Sequence, residues 1–209
     1  MAGCDDLPEA AKDGRISAGH TAFVLWSAVA RRKAPAWLST GIKAVFREAA
    51  TRWPADPAAA DAFTELWLES YLREEPDLAL VALEDQPGSE PRVVGYLVAS
   101  TADPLTDPRF ATLGYFHAFA DELAAFPAHL HVNVASDRRG LGIGERLVTD
   151  ICNILAARGC PGVHIVTGKS ARNVAFYRRL GFLHRAEANW KDRELVLMGC
   201  ALPRRAVQT

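Results

Sequence analysis

The chain has 209 residues, 49% hydrophobic and 23% charged, enough for one domain with a sizeable core and ordinary for a globular protein. A formal net charge of −1 excludes a general electrostatic grip on nucleic acid or an anionic membrane. No apolar run approaches the ~20 residues of a membrane span, and the acidic start MAGCDDLPEAAKDGR is unlike a secretory signal, so a cytoplasmic protein is expected.

Residues 1–20 have weak periodicity and read as a loose leader. From Thr21 to Ala50 the pattern is helical: Phe23, Trp26, Val29 and Ala30 share one face, Pro35 interrupts, and Trp37, Leu38, Ile42, Val45 and Phe46 make a second face. The turn WPADP (53–57) precedes a third helix over 57–74, with Phe63, Leu66, Trp67 and Ser70 at helical spacing. DLALVAL (77–83) and RVVGYLVAS (92–100) are strand-like, and DQPGSE (85–90) joins them as a hairpin loop. Residues 110–126 are aromatic-rich and expected to be helical. AHLHVNV (128–134) alternates, with Leu130, Val132 and Val134 on one face and His129, His131 and Asn133 on the other.

Next comes SDRRGLGIGERLVTDICNILAARG (136–159), whose second half carries the apolar stripe Leu147, Val148, Ile151, Ile154 and Leu155 and ends at a cap-like Gly159. PGVHIVTG (161–168) is a further strand, SARNVAFYRRLGF (170–182) a further helix, and two strands near 183–190 and 194–201 close the pattern before a tail, 203–209. The order predicts a single mixed α/β domain, with an N-terminal helical part over 21–76 and a core over 77–202. Cys4, Cys152, Cys160 and Cys200 fit no zinc or C-x-x-C template, so they read as plain thiols and no metal is expected.

Glycines as dense as Gly140, Gly142 and Gly144 weaken a helix start unless a ligand must approach the backbone. A helix start presents unpaired N–H groups and partial positive charge, which together suit an anion. Arg138 and Arg139 add charge suited to a diphosphate. The dinucleotide fingerprint G-x-G-x-x-G does not fit, because the spacing here is G-x-G-x-G and no acidic strand end follows. GVHIVTGKS approaches a phosphate loop, but Gly162 and Gly168 enclose five residues instead of four, and those five read as a buried strand.

Arg139-Gly140-Leu141-Gly142-Ile143-Gly144 matches R-x-x-G-x-G, and with FYRRLGF (176–182) downstream it resembles the acetyl-CoA loop and second signature of the GCN5-related N-acetyltransferase (GNAT) superfamily. The resemblance covers roughly Asp77–Leu202. EEPDLALVALED, HLHVNV and GCPGVHIVTGKSARNVAFYRRLGF are also similar to bacterial proteins related to the acetyltransferase-like domain of O-GlcNAcases. That group often has an aspartate where Asn133 stands and an asparagine where Ser170 stands.

The resemblance implies a mostly antiparallel sheet, splayed at the strand that meets acetyl-CoA, and direct attack of a primary amine on the thioester. It implies that the N–H groups from Arg139 to Gly144 hold the pyrophosphate. The backbone at Val132 and Val134 would pair with the pantetheine arm, an N–H near Val134 polarising the thioester carbonyl. Tyr177 occupies the general-acid position; it also shares a helix face with Val174 and Leu180, as a packed tyrosine would. Ser170 either caps its helix or serves the cofactor, and Asn173 and Arg179 either touch the cofactor or are solvated. An amine acceptor must lose a proton before attack. Asn133 cannot take it; His131, with an ordinary pKa near neutrality, either takes it or is structural. Glu74 and Glu75 are further candidates, or a solvated helix end. Tyr71, Trp67 and Tyr115 line an acceptor pocket or the core.

Acceptor choice is expected to lie in residues 21–75 and 101–127, the acceptor being a small amine, an antibiotic or a protein lysine. Nucleic acid and membrane are not expected as partners, and the protein is a monomer or homodimer. The rival reading is an inactive module that binds acyl-CoA or a protein partner, which Asn133 favours and the intact glycine loop opposes.

Overall fold

The structure is a computed structural model that describes residues 21–30 and 34–203. The leader 1–20 and most of the tail lie outside the described residues. In chain order the elements are β1 (Thr21–Leu25), α1 (Trp26–Ala30), α2 (Ala36–Ala49), α3 (Pro57–Thr64), a π-helical segment Glu65–Glu69, α4 (Ser70–Glu74), β2 (Ala79–Glu84), β3 (Arg92–Ser100), α5 (Ala120–Leu123), β4 (Ala128–Val134), α6 (Ile143–Ala157), β5 (Gly162–Gly168), α7 (Asn173–Arg179), β6 (Leu183–Trp190) and β7 (Arg193–Ala201). Single 3₁₀ turns stand at Pro76–Leu78, Pro108–Phe110 and Ser136–Arg138, and a longer 3₁₀ stretch at Gly114–Phe119. The pairs β1–β2, β2–β3, β5–β7 and β6–β7 are antiparallel and β4–β5 is parallel. The fold is therefore mixed α/β and mostly antiparallel, as expected. Two compact units are present: Met1–Val98 with Val132–Val148, and Ala99–His131 with Thr149–Thr209.

In the first unit, one sequence expectation is corrected. Thr21–Leu25 is a strand, not the start of a helix, and pairs with β2 from Thr21↔Glu84 to Leu25↔Leu80. The helical spacing of Phe23 and Trp26 straddles a junction, because the strand ends at Leu25 and α1 begins at Trp26. TAFVL is rich in β-branched and aromatic side chains, and the open edge of β2 supplies the backbone partners that settle it. Helix α2 buries Leu38, Ile42, Val45 and Phe46, the face its spacing predicts. Phe46 stacks on Phe63 at 5.4 Å and meets Trp53 edge-on at 5.8 Å. Gly95 of β3 is needed for space, since a Cβ there would lie 3.2 Å from Asn133 O and from Ile143 Cγ2.

In the second unit, β4 pairs with β5 only at Ala128↔Val163 and His129↔His164, while β5 runs on against β7 as far as Gly168↔Leu195. The expected splay thus opens after His129. Residues 110–126 are less helical than expected, a 3₁₀ stretch and the four-residue α5, and they bury Phe110, Leu113, Tyr115, Phe116, Phe119, Leu123 and Phe126. Cys152 and Cys200 are buried thiols, as read, and Cys160 is half-buried.

Gly162 is the tightest backbone approach in this unit. A Cβ there would strike the Ala125 carbonyl, lie 2.7 Å from the Phe126 ring and meet Cys200 O at 3.2 Å. A backbone carbonyl cannot step aside as a flexible side chain can. Gly162→Ala is expected to cost about 1–3 kcal/mol, the usual range for overpacking. At ~2–4 °C per kcal/mol for a chain of this size, the thermal midpoint should fall by several degrees. An unchanged midpoint in a calorimetric scan would show that the Ala125–Phe126 turn is not tightly held.

Candidate active site

The end of β4 and the loop after it belong to the first unit. Val132, Asn133 and Val134 are half-buried there, so the two valines are not the fully enclosed core positions their alternation suggests. The Asn133 amide donates to the Tyr96 hydroxyl at 2.7 Å. Tyr96 is 1% exposed, and burial raises its phenol, so it stays protonated at neutral pH and keeps its own proton to donate. Buried Ala135 donates its N–H to Val94 O at 2.9 Å, and the 3₁₀ turn Ser136–Arg138 follows.

Gly140 and Gly142 have φ of +80° and +81°, the left-handed region that side chains with a Cβ avoid. Helix α6 begins at Ile143, which is buried, as are Leu147, Val148, Ile151 and Leu155 along the predicted stripe; Ile154 is half-buried. Gly159 caps it at φ +77°, with Cys160 N donating to Leu155 O at 3.0 Å. The first backbone bond into this helix is Arg146 N to Gly142 O at 3.0 Å. Among the described residues, none of the N–H groups from Arg139 to Glu145 has a hydrogen-bond partner. Leu141 is 54% exposed in the middle of the loop. An exposed run of unpaired N–H groups, entered by two left-handed glycines and backed by a fifteen-residue helix, fits a diphosphate.

The two arginines differ. Arg139 donates its Nε–H to Val134 O at 3.2 Å and forms no ion pair among the described residues. Arg138 is committed elsewhere, to Glu84 at 2.9 Å and to Asp137 at 2.9 Å, so its charge is not directed at a ligand as the sequence suggested. Glu84, Arg92, Asp137 and Glu48, which hold this loop, escaped the sequence reading. The visible signal was an acid and a base flanking the hairpin loop, at Glu84 and Arg92. Glu74 is paired with Arg73 at 2.9 Å, which matches the solvated-helix-end reading for that residue.

The remaining residues lie in the second unit. Tyr177 on α7 is 5% exposed and meets Phe176 and Phe182 edge-on at 5.1 and 5.4 Å. Burial raises its phenol, so it is protonated at pH 7. Asn173 opens α7, and its Oδ1 accepts from the Thr167 hydroxyl at 3.0 Å. Ser170 is not the N-cap expected of it: α7 begins three residues later, with Arg172 at the cap position and Ser170 exposed in the preceding turn. Tyr115 is buried against Trp190, ring centroids 5.3 Å apart, a packing role.

His131 is half-buried, and its ring lies 6.5 Å from that of His129. His129 lies 5.6 Å from His164, and Phe110 and Phe116 pack around the rings. His164 Nδ1 sits 2.5 Å from Phe126 O; a carbonyl can only accept, so the proton is on Nδ1, and Nε2 has no partner among the described residues. Burial, with His164 nearby, lowers His131 to about 4; burial lowers His164 to about 4 and His129 well below its ordinary value. A histidine near 4 is neutral at pH 7 but a weak base, which moves His131 away from the near-neutral value expected of a base.

These histidines carry a stability consequence. The unfolded chain takes up protons near pH 6.5, whereas the folded chain does so only near 4, so the contribution is complete above 6.5 and is lost as pH falls toward 4. Urea unfolding should show stability declining between pH 6.5 and 5, before most carboxylates titrate. A flat profile over that interval would mean that the rings are solvated.

The Acetyltransferase (GNAT) family model matches residues 42–182. Glucosamine 6-phosphate N-acetyltransferase of Trypanosoma brucei brucei is 25% identical over 134 residues, 59% of this chain and 83% of that protein. The crystal structure of SsHAT has a TM-score of 0.61 at 22% identity, covering 87% of this chain and 98% of its own. A chain of the NatC complex bound to Gag peptide and CoA has a TM-score of 0.57 at 15% identity, covering 87% and 98%. Ard1 from Thermoplasma volcanium has a TM-score of 0.51 at 17% identity, covering 78% and 91%. The structural likenesses, all at low identity, speak for the fold, and the family match spans both units. The chain belongs to the GNAT family of acetyltransferases.

Proposed function

We propose that the chain is an acetyl-CoA-dependent N-acetyltransferase acting on a primary amine. The observation that carries this is the loop 139–144, with Gly140 and Gly142 left-handed before α6 and its N–H groups unpaired among the described residues. Bound acetyl-CoA supplies the activated acetyl group. The loop N–H groups and the Arg139 guanidinium receive its diphosphate, and the backbone at Val132 and Val134 aligns the arm that carries the thioester. Tyr177 holds the proton for the departing thiolate. Asn173, oriented by Thr167, offers its amide N–H₂ to the cofactor.

No carboxylate is assigned to the acceptor amine, since Asn133 is bound to Tyr96 and His131 is a weak base. The amine then reacts from the fraction already neutral in solution. For an acceptor of pKa about 10.4, log(kcat/KM) should rise with unit slope from pH 7 to about 9. His131→Ala should leave that slope intact, and Asn133→Asp should raise or preserve the rate at pH 7. A bend near pH 5 would reveal a carboxylate base, Glu75 being the first to test.

The reading is tested by thiol release over an amine panel that includes glucosamine 6-phosphate, the acceptor named for the trypanosomal relative, peptide N-termini and lysine peptides. The commitment of Asn133 to Tyr96 favours a second reading, an inactive module that binds acyl-CoA. Tight CoA binding without thiol release from any amine would establish it.

A further inference from the structure

Asp137 and Arg138 are consecutive, and they meet Arg92 and Glu84, which are cross-strand partners at the base of the β2–β3 hairpin. Arg92 grips Asp137 with two bonds of 2.8 Å. Arg138 grips Glu84 through Nε at 3.0 Å and a terminal nitrogen at 2.9 Å, and its other terminal nitrogen reaches Asp137 at 2.9 Å. Two bases and two acids thus alternate along one lattice, Arg92–Asp137–Arg138–Glu84, of zero net charge. One residue earlier, Ser136 N–H donates to Glu48 Oε1 at 2.8 Å, and this hydrogen-bonding lowers the carboxyl. The three residues before Arg139 are therefore tied to α2, β2 and β3, while Arg139 to Gly142 are exposed.

We propose that this lattice holds the glycine loop in its ligand-ready form, and that Arg138 and Glu84 are positioning residues for the CoA diphosphate, not ligands of it. The proposal rests on the reading of loop 139–144 as the CoA site. A loop with glycines at 140, 142 and 144 loses more backbone freedom on ordering than other sequences, and that cost falls on binding unless the loop is held beforehand. A bidentate pair with side chains 29% and 14% exposed is desolvated enough to hold geometry, unlike a fully solvated ion pair. Because the lattice is neutral, loosening it changes the shape of the loop far more than its attraction for phosphate. Arg139, with no ion pair among the described residues, is the guanidinium left to meet the ligand.

The test is a double-mutant cycle with CoA as the calorimetric probe and thermal midpoints as the fold control. Glu84→Gln is nearly isosteric, and Arg138→Met keeps the apolar stem without the charge. Each is expected to weaken CoA about tenfold, and the double variant should be no more than about twofold worse than the weaker single, because both break one device. KM for acetyl-CoA should rise in parallel, with kcat at saturation changed less than about twofold. Tighter CoA binding by Glu84→Gln would overturn the proposal, since Arg138 released from Glu84 would then be a ligand. Additive losses near 100-fold would overturn it too, as would unchanged affinity in both singles. Wild-type protein that fails to bind CoA would instead remove the loop reading on which the proposal stands.

Discussion

Gly142→Asp is expected to abolish CoA binding by a folded protein. Gly142 has φ +81°, and no atom lies within 4 Å of where a Cβ would stand, so the substitution creates no clash in the free chain. It acts through two other effects. A side chain in the left-handed region costs about 1–2 kcal/mol, and the carboxylate stands where the ligand diphosphate must come. Two unit charges ~5 Å apart repel by about 3 kcal/mol at an effective dielectric of ~20. Together they reach 4 kcal/mol or more, on the order of 1,000-fold in affinity. Gly142→Ala, which keeps the strain and lacks the charge, should lose about 5- to 30-fold. Calorimetry with CoA resolves both, and an aspartate variant that binds like wild type would refute the loop assignment. The thermal midpoint should fall by no more than the few degrees that ~1–2 kcal/mol of backbone strain costs a chain of this size, because no atom is displaced.

Tyr177→Phe is expected to lower the turnover number at least about tenfold, some 1.4 kcal/mol of transition-state stabilisation, with CoA affinity unchanged. The ring contacts with Phe176 and Phe182 survive the substitution, so only the hydroxyl is tested. Burial keeps that hydroxyl protonated, so the group can donate to a thiolate but cannot act as a base at pH 7. Unchanged turnover would make Tyr177 a packing residue, the role its burial equally allows.

The sequence by itself determined the elements whose reasons are local. The alternate glycines at 140 and 142 mark the loop because left-handed turns need glycine, and both have that conformation, whereas Gly144 lies inside α6. The strand β4, the apolar stripe of α6 and its Gly159 cap were legible because period and capping are properties of adjacent residues, although burial along β4 does not alternate as its residues do. Only tertiary structure decided the rest. Thr21–Leu25 is a strand because β2 offers it backbone partners, and β2 lies more than fifty residues away in sequence. Ser170 falls short of the helix it was expected to cap, because the turn at 169–172 intervenes. Arg138 looks like a phosphate ligand from its neighbours, but it is claimed by Glu84, fifty-four residues distant. His131 has an ordinary pKa as a residue type, and burial, with His164 nearby, lowers it to about 4. Charge pairing and desolvation depend on what the fold brings near, which no local pattern records.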